Sequence, residues 1–121
     1  MSERFALVVE DNKDEAFVFS RALQAVGFET EVVRTGDAAM ARLAAIVPDV
    51  VVLDLHLPHV DGRDVVRQIR QDARLARTRV IVVTGDPQWA ESVHGEADLV
   101  LIKPIGFEQL GDLATRLVAT P

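Results

Sequence analysis

Four short apolar runs punctuate the chain, at residues 5–9, 50–53, 80–83 and 99–102. Each is bounded by charged or turn residues, and none alternates cleanly between apolar and polar positions. Unbroken Val, Leu and Ile over so few residues suit strands covered on both faces, as in a parallel sheet. A fifth run, 29–34, mixes charge with Val32 and Val33 and reads as an edge strand.

Between these runs the apolar period becomes helical. Over 14–26, Val18, Ala22 and Val26 recur four apart with Phe19 and Leu23 beside them, and Gly27 follows as a stop. Over 37–46, Met40 and Leu43 lead at helical spacing to Val47, and Pro48 ends the pattern. Over 62–76, Val65, Val66, Ile69 and Ala73 share one side; over 107–118, Leu110, Leu113, Ala114 and Leu117 do the same. The stretch 87–95 opens on a proline but offers only Trp89, Ala90 and Val93 as apolar anchors, so its helix is predicted short or irregular. Strand and helix alternating five times predict an α/β fold: a single (βα)5 doubly wound parallel five-stranded sheet with right-handed crossovers.

A length of 121 residues fits one domain, 1–121, with a core of its own. Cysteine is absent, which excludes disulfide scaffolds, thiolate zinc sites and cysteine nucleophiles. Thirteen basic against 19 acidic side chains argue against nucleic acid as a partner of this domain alone. No apolar run approaches the roughly 18 residues of a membrane span, and the first residues lack a signal-peptide pattern. The expectation is a cytoplasmic domain with no membrane contact.

In an open α/β sheet, ligands bind beyond the carboxyl ends of the strands, where the strand order reverses. Glu10 and Asp11 follow the first run, Asp54 the third and Thr84 the fourth, and the fifth ends in Lys103-Pro104. A strand order of 2-1-3-4-5 makes the first and third runs neighbours, and three carboxylates then meet beside a hydroxyl and an ammonium. Three clustered acids each resist ionising without a counter-charge. Hard oxygen donors with room for water favour Mg²⁺ over zinc. A carboxylate beside Mg²⁺ can accept a phosphoryl group, whose charge Lys103, Thr84 and the metal would stabilise.

Four segments carry a resemblance: Val8-Val9-Glu10-Asp11-Asn12, Leu53-Asp54-Leu55-His56-Leu57-Pro58-His59-Val60-Asp61-Gly62, Val83-Thr84-Gly85 and Lys103-Pro104. In order and near the usual spacing, over essentially the whole chain, they resemble the receiver domains of response regulators, the CheY-like family of two-component signalling. The resemblance implies a flavodoxin-like fold and a phosphorylation-controlled switch in a phosphorelay, with Asp54 as phosphoacceptor. It implies Mg²⁺ held by Glu10, Asp11, Asp54 and the backbone carbonyl of His56. Thr84 then resembles the switch hydroxyl, and Lys103 the phosphoryl-binding cation before a proline whose peptide bond is usually cis. His56 and Asp86 fall where the family tunes dephosphorylation. The implied partner is a histidine kinase or histidine phosphotransfer protein, with an output partner the residues do not identify and a monomer or weak homodimer as the assembly. The chain is then no enzyme beyond its own phosphorylation and dephosphorylation. The usual switch aromatic, three residues before the lysine, is replaced by Val100. The stretch from Thr84 to Lys103 is also about one helical turn short, the missing turn falling in the fourth helix.

Two other functions use the same fold. An Mg²⁺-dependent aspartyl-phosphate phosphohydrolase of the haloacid dehalogenase type would place a second Asp two residues after the nucleophile, where this chain has His56. A flavodoxin-like mononucleotide-binding module would carry a Gly-, Ser- and Thr-rich phosphate loop in place of Glu10-Asp11-Asn12. Blander readings stand beside the individual residues. Glu10 and Asp11 can be capping acids, Thr84 an ordinary β-branched strand residue and His56 a solvated loop histidine. Arg63, Arg67, Arg70, Arg74 and Arg77 form one helix face, either solvated or matched to an acidic partner or nucleic acid. Phe17 is a core position or a docking contact. Asp61 is structural, His59 and His94 are bystanders, and Trp89 is placed outside the pocket.

Overall fold

The computed structural model describes residues 4–119. Its elements run β1 (Arg4–Val9), α1 (Lys13–Gln24), β2 (Phe28–Val33), α2 (Gly36–Leu43), β3 (Val50–Asp54) and α3 (Gly62–Gln71), then a single 3-10 turn (Ala73–Leu75). They continue with β4 (Arg79–Thr84), α4 (Pro87–Glu91), β5 (Leu99–Ile102) and α5 (Phe107–Ala119). The five strands pair in parallel in the order β2-β1-β3-β4-β5, so β1 and β3 are central neighbours and the charged run forms an edge.

Side chains of a strand alternate between faces, and here each face meets helices. Leu7, Val9, Val51, Leu53, Val80 and Val82 pack with Val65, Val66 and Ile69 of α3 on one side. Ala6, Val8, Val50, Val52, Ile81 and Val83 pack with Phe19 and Leu23 of α1 and with Leu110 and Ala114 of α5 on the other. The unbroken apolar runs are the consequence of this double covering. Asn12, Thr35, Asp61 and Asp86 each accept a backbone N–H from the helix they precede. Each such cap satisfies a donor the helix cannot pair internally.

Several local expectations are corrected. The third helix does not run to residue 76. Asp72 is extended (φ −94°, ψ 114°), and its carboxylate accepts from Arg74 N–H, which restarts the chain as the 3-10 turn. The second helix stops at Leu43, which leaves Val47 56% exposed instead of on a buried face. In α1 the buried stripe is Ala16, Phe19, Ser20, Ala22 and Leu23, so Val18 turns outward. Phe17 is exposed too, with the Arg21 guanidinium over its ring. The fourth helix is short as expected, with no buried residue of its own, and Val93 just beyond it is the buried anchor.

The arginine face is largely committed inside the molecule. Arg63 pairs with Asp61, Arg67 with Asp64 and Arg74 with Asp72, while Arg70 bridges Asp98 and two backbone carbonyls. Among the described residues, no helix is long and apolar enough to cross a membrane.

Candidate functional site

The register β1–β3 sets Val9 opposite Leu53, so the next residues, Glu10 and Asp54, leave neighbouring strands side by side at the carboxyl edge of the sheet. Thr84 ends β4 opposite Ile102, and the following Lys103 N–H donates to the Thr84 carbonyl at 2.8 Å. Residues far apart in the chain therefore share one edge. Glu10, Asp11 and Asp54 each offer a carboxylate oxygen within 4.8 Å of the others. The Lys103–Pro104 peptide is cis.

Glu10 is fully buried, Asp54 and Thr84 are buried, and Asp11 is exposed. Lys103 Nζ donates to Glu10 Oε1 at 2.9 Å and Asp54 Oδ2 at 3.0 Å. The second Glu10 oxygen accepts Asn12 N–H at 3.1 Å, and Asp54 Oδ1 accepts His56 N–H at 2.9 Å. The Thr84 hydroxyl oxygen accepts Asp86 N–H at 3.1 Å, while the Asp86 carboxylate caps α4 through Gln88 N–H. The Asp11 carbonyl is clasped by Arg34, whose Nη2 lies 2.6 Å away.

Burial pushes the Glu10 carboxyl up to about 7; the Asn12 N–H and Lys103 oppose the rise and the Asp54 charge adds to it. Burial alone would favour neutral Lys103. Its bonds to Glu10, Glu15 and Asp54 outweigh that, and hold the ammonium above its ordinary value. A site with a partly neutralised buried acid and an all-oxygen donor set suits a small hard cation. Asp11 faces solvent, so water can complete a shell around such an ion.

The loop after Asp54 is shaped by backbone contact. Gly62 N–H donates to the Leu55 carbonyl, and a Cβ at Gly62 would sit 2.6 Å from Leu55 Cα. Only glycine admits that approach. Gly85 beside Thr84 faces open space. His59 adopts φ 69° within the same loop.

Two residues of the site escape sequence reasoning. Glu15, on the first turn of α1, is ion-paired through Oε1 with Lys103 Nζ at 2.9 Å. It lies four residues beyond Asp11, on the helix that begins at the carboxyl edge, a position that by itself names no partner. Trp89 was expected outside the pocket, and this is corrected. Its indole stacks on the His56 ring at 4.0 Å between centroids, with the Arg63 guanidinium 4.4 Å from its own centroid. Nothing in the spacing of 87–95 reports a contact made between α4 and the β3–α3 loop.

Residues 6–115 match the family model of the response regulator receiver domain. The probable methanogenesis regulatory protein FilR2 of Methanothrix harundinacea is 36% identical over 115 residues, a match covering 86% of this chain and 74% of that protein. The phosphate regulon transcriptional regulatory protein PhoB of Rhizobium meliloti is 34% identical over 106 residues, covering 85% of this chain but 47% of PhoB. The solved receiver domain (CheY-like) from Methylobacillus flagellatus superposes with a TM-score of 0.86 at 27% identity, covering 96% of this chain and 99% of that one.

Proposed function

Because the chain belongs to the response regulator receiver domain family, and is thereby a phosphorylation-controlled switch of two-component signalling, we propose that Asp54 is its phosphoacceptor. The donor is the phosphohistidine of a histidine kinase or histidine phosphotransfer protein. A carboxylate oxygen of Asp54 attacks phosphorus in line, the P–N bond breaks, and its electron pair stays on the donor imidazole, which takes up a proton. Charge on the transferring group falls on the Lys103 ammonium and the Thr84 hydroxyl, whose oxygen accepts Asp86 N–H in the unloaded state and whose O–H donates to a phosphoryl oxygen once the side chain turns to it. Glu10, Asp11, Asp54 and the His56 carbonyl would hold Mg²⁺, which would supply further neutralisation of that charge. His56 and Asp86, two residues beyond Asp54 and Thr84, flank the route of a hydrolytic water and tune the phosphoryl lifetime.

Residues 1–121 act as one receiver domain, whose chemistry is limited to gaining and losing its own phosphoryl group. The chain spans less than half of PhoB, so an output of that protein's kind is not carried over. The observation that carries the reading is the Lys103 ammonium bridging Glu10 and Asp54, with Asp11 alongside. A phosphohydrolase would need an acid two residues after its nucleophile, and His56 there gives its ring face to Trp89.

The test is intact-mass analysis after acetyl phosphate. Wild type should gain one phosphoryl group only with Mg²⁺, and Asp54→Asn none. Labelling that persists in Asp54→Asn would sink the assignment.

A further inference from the structure

A lysine ammonium has three N–H donors and no acceptor. The Lys103 ammonium donates to Glu10 Oε1 at 2.9 Å and Asp54 Oδ2 at 3.0 Å, and it is ion-paired with Glu15 Oε1 at 2.9 Å. An anion arriving on Asp54 therefore has to share this ammonium or displace one of its partners. The partners differ in what displacement costs. The side chains of Glu10 and Asp54 are 1% and 7% exposed, whereas that of Glu15 is 39% exposed. A buried carboxylate stripped of its cation stays unpaired, while Glu15 turns to water.

Local structure explains why Glu15 reaches across. Asn12 caps α1 and accepts Glu15 N–H at 3.0 Å. A glutamate at this third helical position ordinarily folds back onto the capping residue's own N–H. That N–H is already donated to Glu10 Oε2. The Glu15 carboxylate is left for Lys103.

We infer that Glu15 is a positioning residue of the switch, which holds the Lys103 ammonium in the unphosphorylated state and opposes an added phosphoryl group on Asp54. It sets how readily the site is loaded. The inference rests on the roles proposed above for Asp54 and Lys103. Whether Glu15 stays or leaves, its charge competes with the phosphoryl oxygens for one cation, so removing that charge favours the loaded state.

The test compares Glu15→Gln with Asp14→Asn by calorimetric titration of beryllofluoride at saturating Mg²⁺. Asp14 is exposed and shares the first turn of α1, so its replacement removes the same unit charge and the same helix-dipole interaction. It forms no ion pair with Lys103 among the described residues. Glu15→Gln should bind beryllofluoride at least about threefold more tightly than Asp14→Asn, the scale of a partly exposed ion pair. The gap should persist at high salt, which screens distant charges but not contacts. Equal affinities of the two variants, or weaker binding by Glu15→Gln, overturn the inference alone when wild type binds beryllofluoride and takes up the phosphoryl group. A wild-type protein that does neither overturns the Asp54 assignment and this inference together.

Discussion

The imidazole of His56 lies on the indole of Trp89, with ring centroids 4.0 Å apart and planes 20° from parallel. His56 sits two residues beyond Asp54, and Trp89 is the third residue of α4, so a single aromatic contact joins the β3–α3 loop to α4. Aromatic stacking contributes about 0.5–1.5 kcal/mol beyond the area it buries. For a five-residue helix with no buried side chain, that is a substantial share of its attachment.

Trp89 is the only tryptophan, so its emission reports on this junction without engineering. Mg²⁺ or beryllofluoride should change the emission, because both act on the loop that carries His56. His56→Ala should remove most of the change while calorimetry still registers binding. Unaltered wild-type emission at calorimetric saturation would show that the stack ignores the site.

The pH dependence follows from Glu10, whose carboxyl rises from an ordinary 4.5 to about 7 in the folded protein. Between these values the folded state holds a proton that the unfolded chain has released. The resulting stability is complete below the unfolded value and is lost as pH rises through about 7. Glu31 and Asp61, held low by Arg42 and Arg63, act in the opposite sense and only at more acidic pH. Without divalent metal, stability should therefore fall between about pH 5 and pH 7, and Glu10→Gln should flatten that slope. A divalent cation on the proposed ligands would displace the same proton, so Mg²⁺ affinity should be about tenfold higher at pH 8 than at pH 6. Equal affinities at the two values would mean that Glu10 is already ionised.

The strands were legible from local pattern, and the acid cluster follows only with a strand order of 2-1-3-4-5, which the apolar runs do not themselves dictate. Unbroken runs such as residues 50–53 mark doubly covered strands, and with that order its reversal fixes where Glu10, Asp54, Thr84 and Lys103 gather. Helix limits were less legible. Apolar spacing carries Ala73 into α3, but Asp72 can cap a new turn as readily as continue the old one. In α1, apolar residues occupy two adjoining stripes, and tertiary packing chose the one that excludes Val18. Glu15 and Trp89 lay beyond reach for another reason. Each is defined by a partner on a different element, 88 positions away for Glu15 and 33 for Trp89, counting Lys103 − Glu15 and Trp89 − His56.

Asp11 and Glu10 should separate metal binding from folding. Asp11 is exposed, and Arg34 grips its backbone carbonyl, which a substitution leaves in place. Asp11→Ala should keep its stability within about 0.5 kcal/mol, or gain slightly from reduced repulsion. Its Mg²⁺ affinity should drop at least about tenfold if Asp11 is the direct ligand proposed above, since such a ligand matters no less than the groups that orient it. A large fall in unfolding temperature with unchanged Mg²⁺ affinity would make Asp11 structural.

Two glycines flank the site and should respond in opposite ways. At Gly62 an added Cβ would meet Leu55 Cα at 2.6 Å and the Asp54 carbonyl at 2.9 Å, both of them backbone atoms that cannot yield cheaply. Gly62→Ala should cost about 1–3 kcal/mol in urea unfolding, the range for forced overpacking. At Gly85 a Cβ meets nothing within 4 Å, and Gly85→Ala should stay within about 0.5 kcal/mol of wild type. Similar losses at both positions would place the strain outside the β3–α3 loop.

The output side of the switch depends on how the site reaches α4. Val100, at the position the family usually fills with an aromatic, is a half-buried β5 side chain packed against the core that Trp89 and Val93 also touch. With no aromatic rotamer at Val100 to follow Thr84, two routes remain from the site to residues 87–95. One is covalent, from Thr84 through Gly85 to Asp86, whose N–H bonds the Thr84 hydroxyl and whose carboxylate caps α4. The other is the His56–Trp89 stack. When the Thr84 hydroxyl turns to a phosphoryl oxygen, Asp86 N–H loses its acceptor, and the cap of a helix with few apolar anchors is disturbed. Beryllofluoride should therefore change hydrogen-exchange protection across residues 87–95 more than in α5. Trp89→Ala should reduce that change without preventing beryllofluoride binding, because the aromatic route is cut and the covalent one kept. Equal protection of 87–95 in both states, with changes confined to α1 and α5, would count decisively against a signal carried by α4.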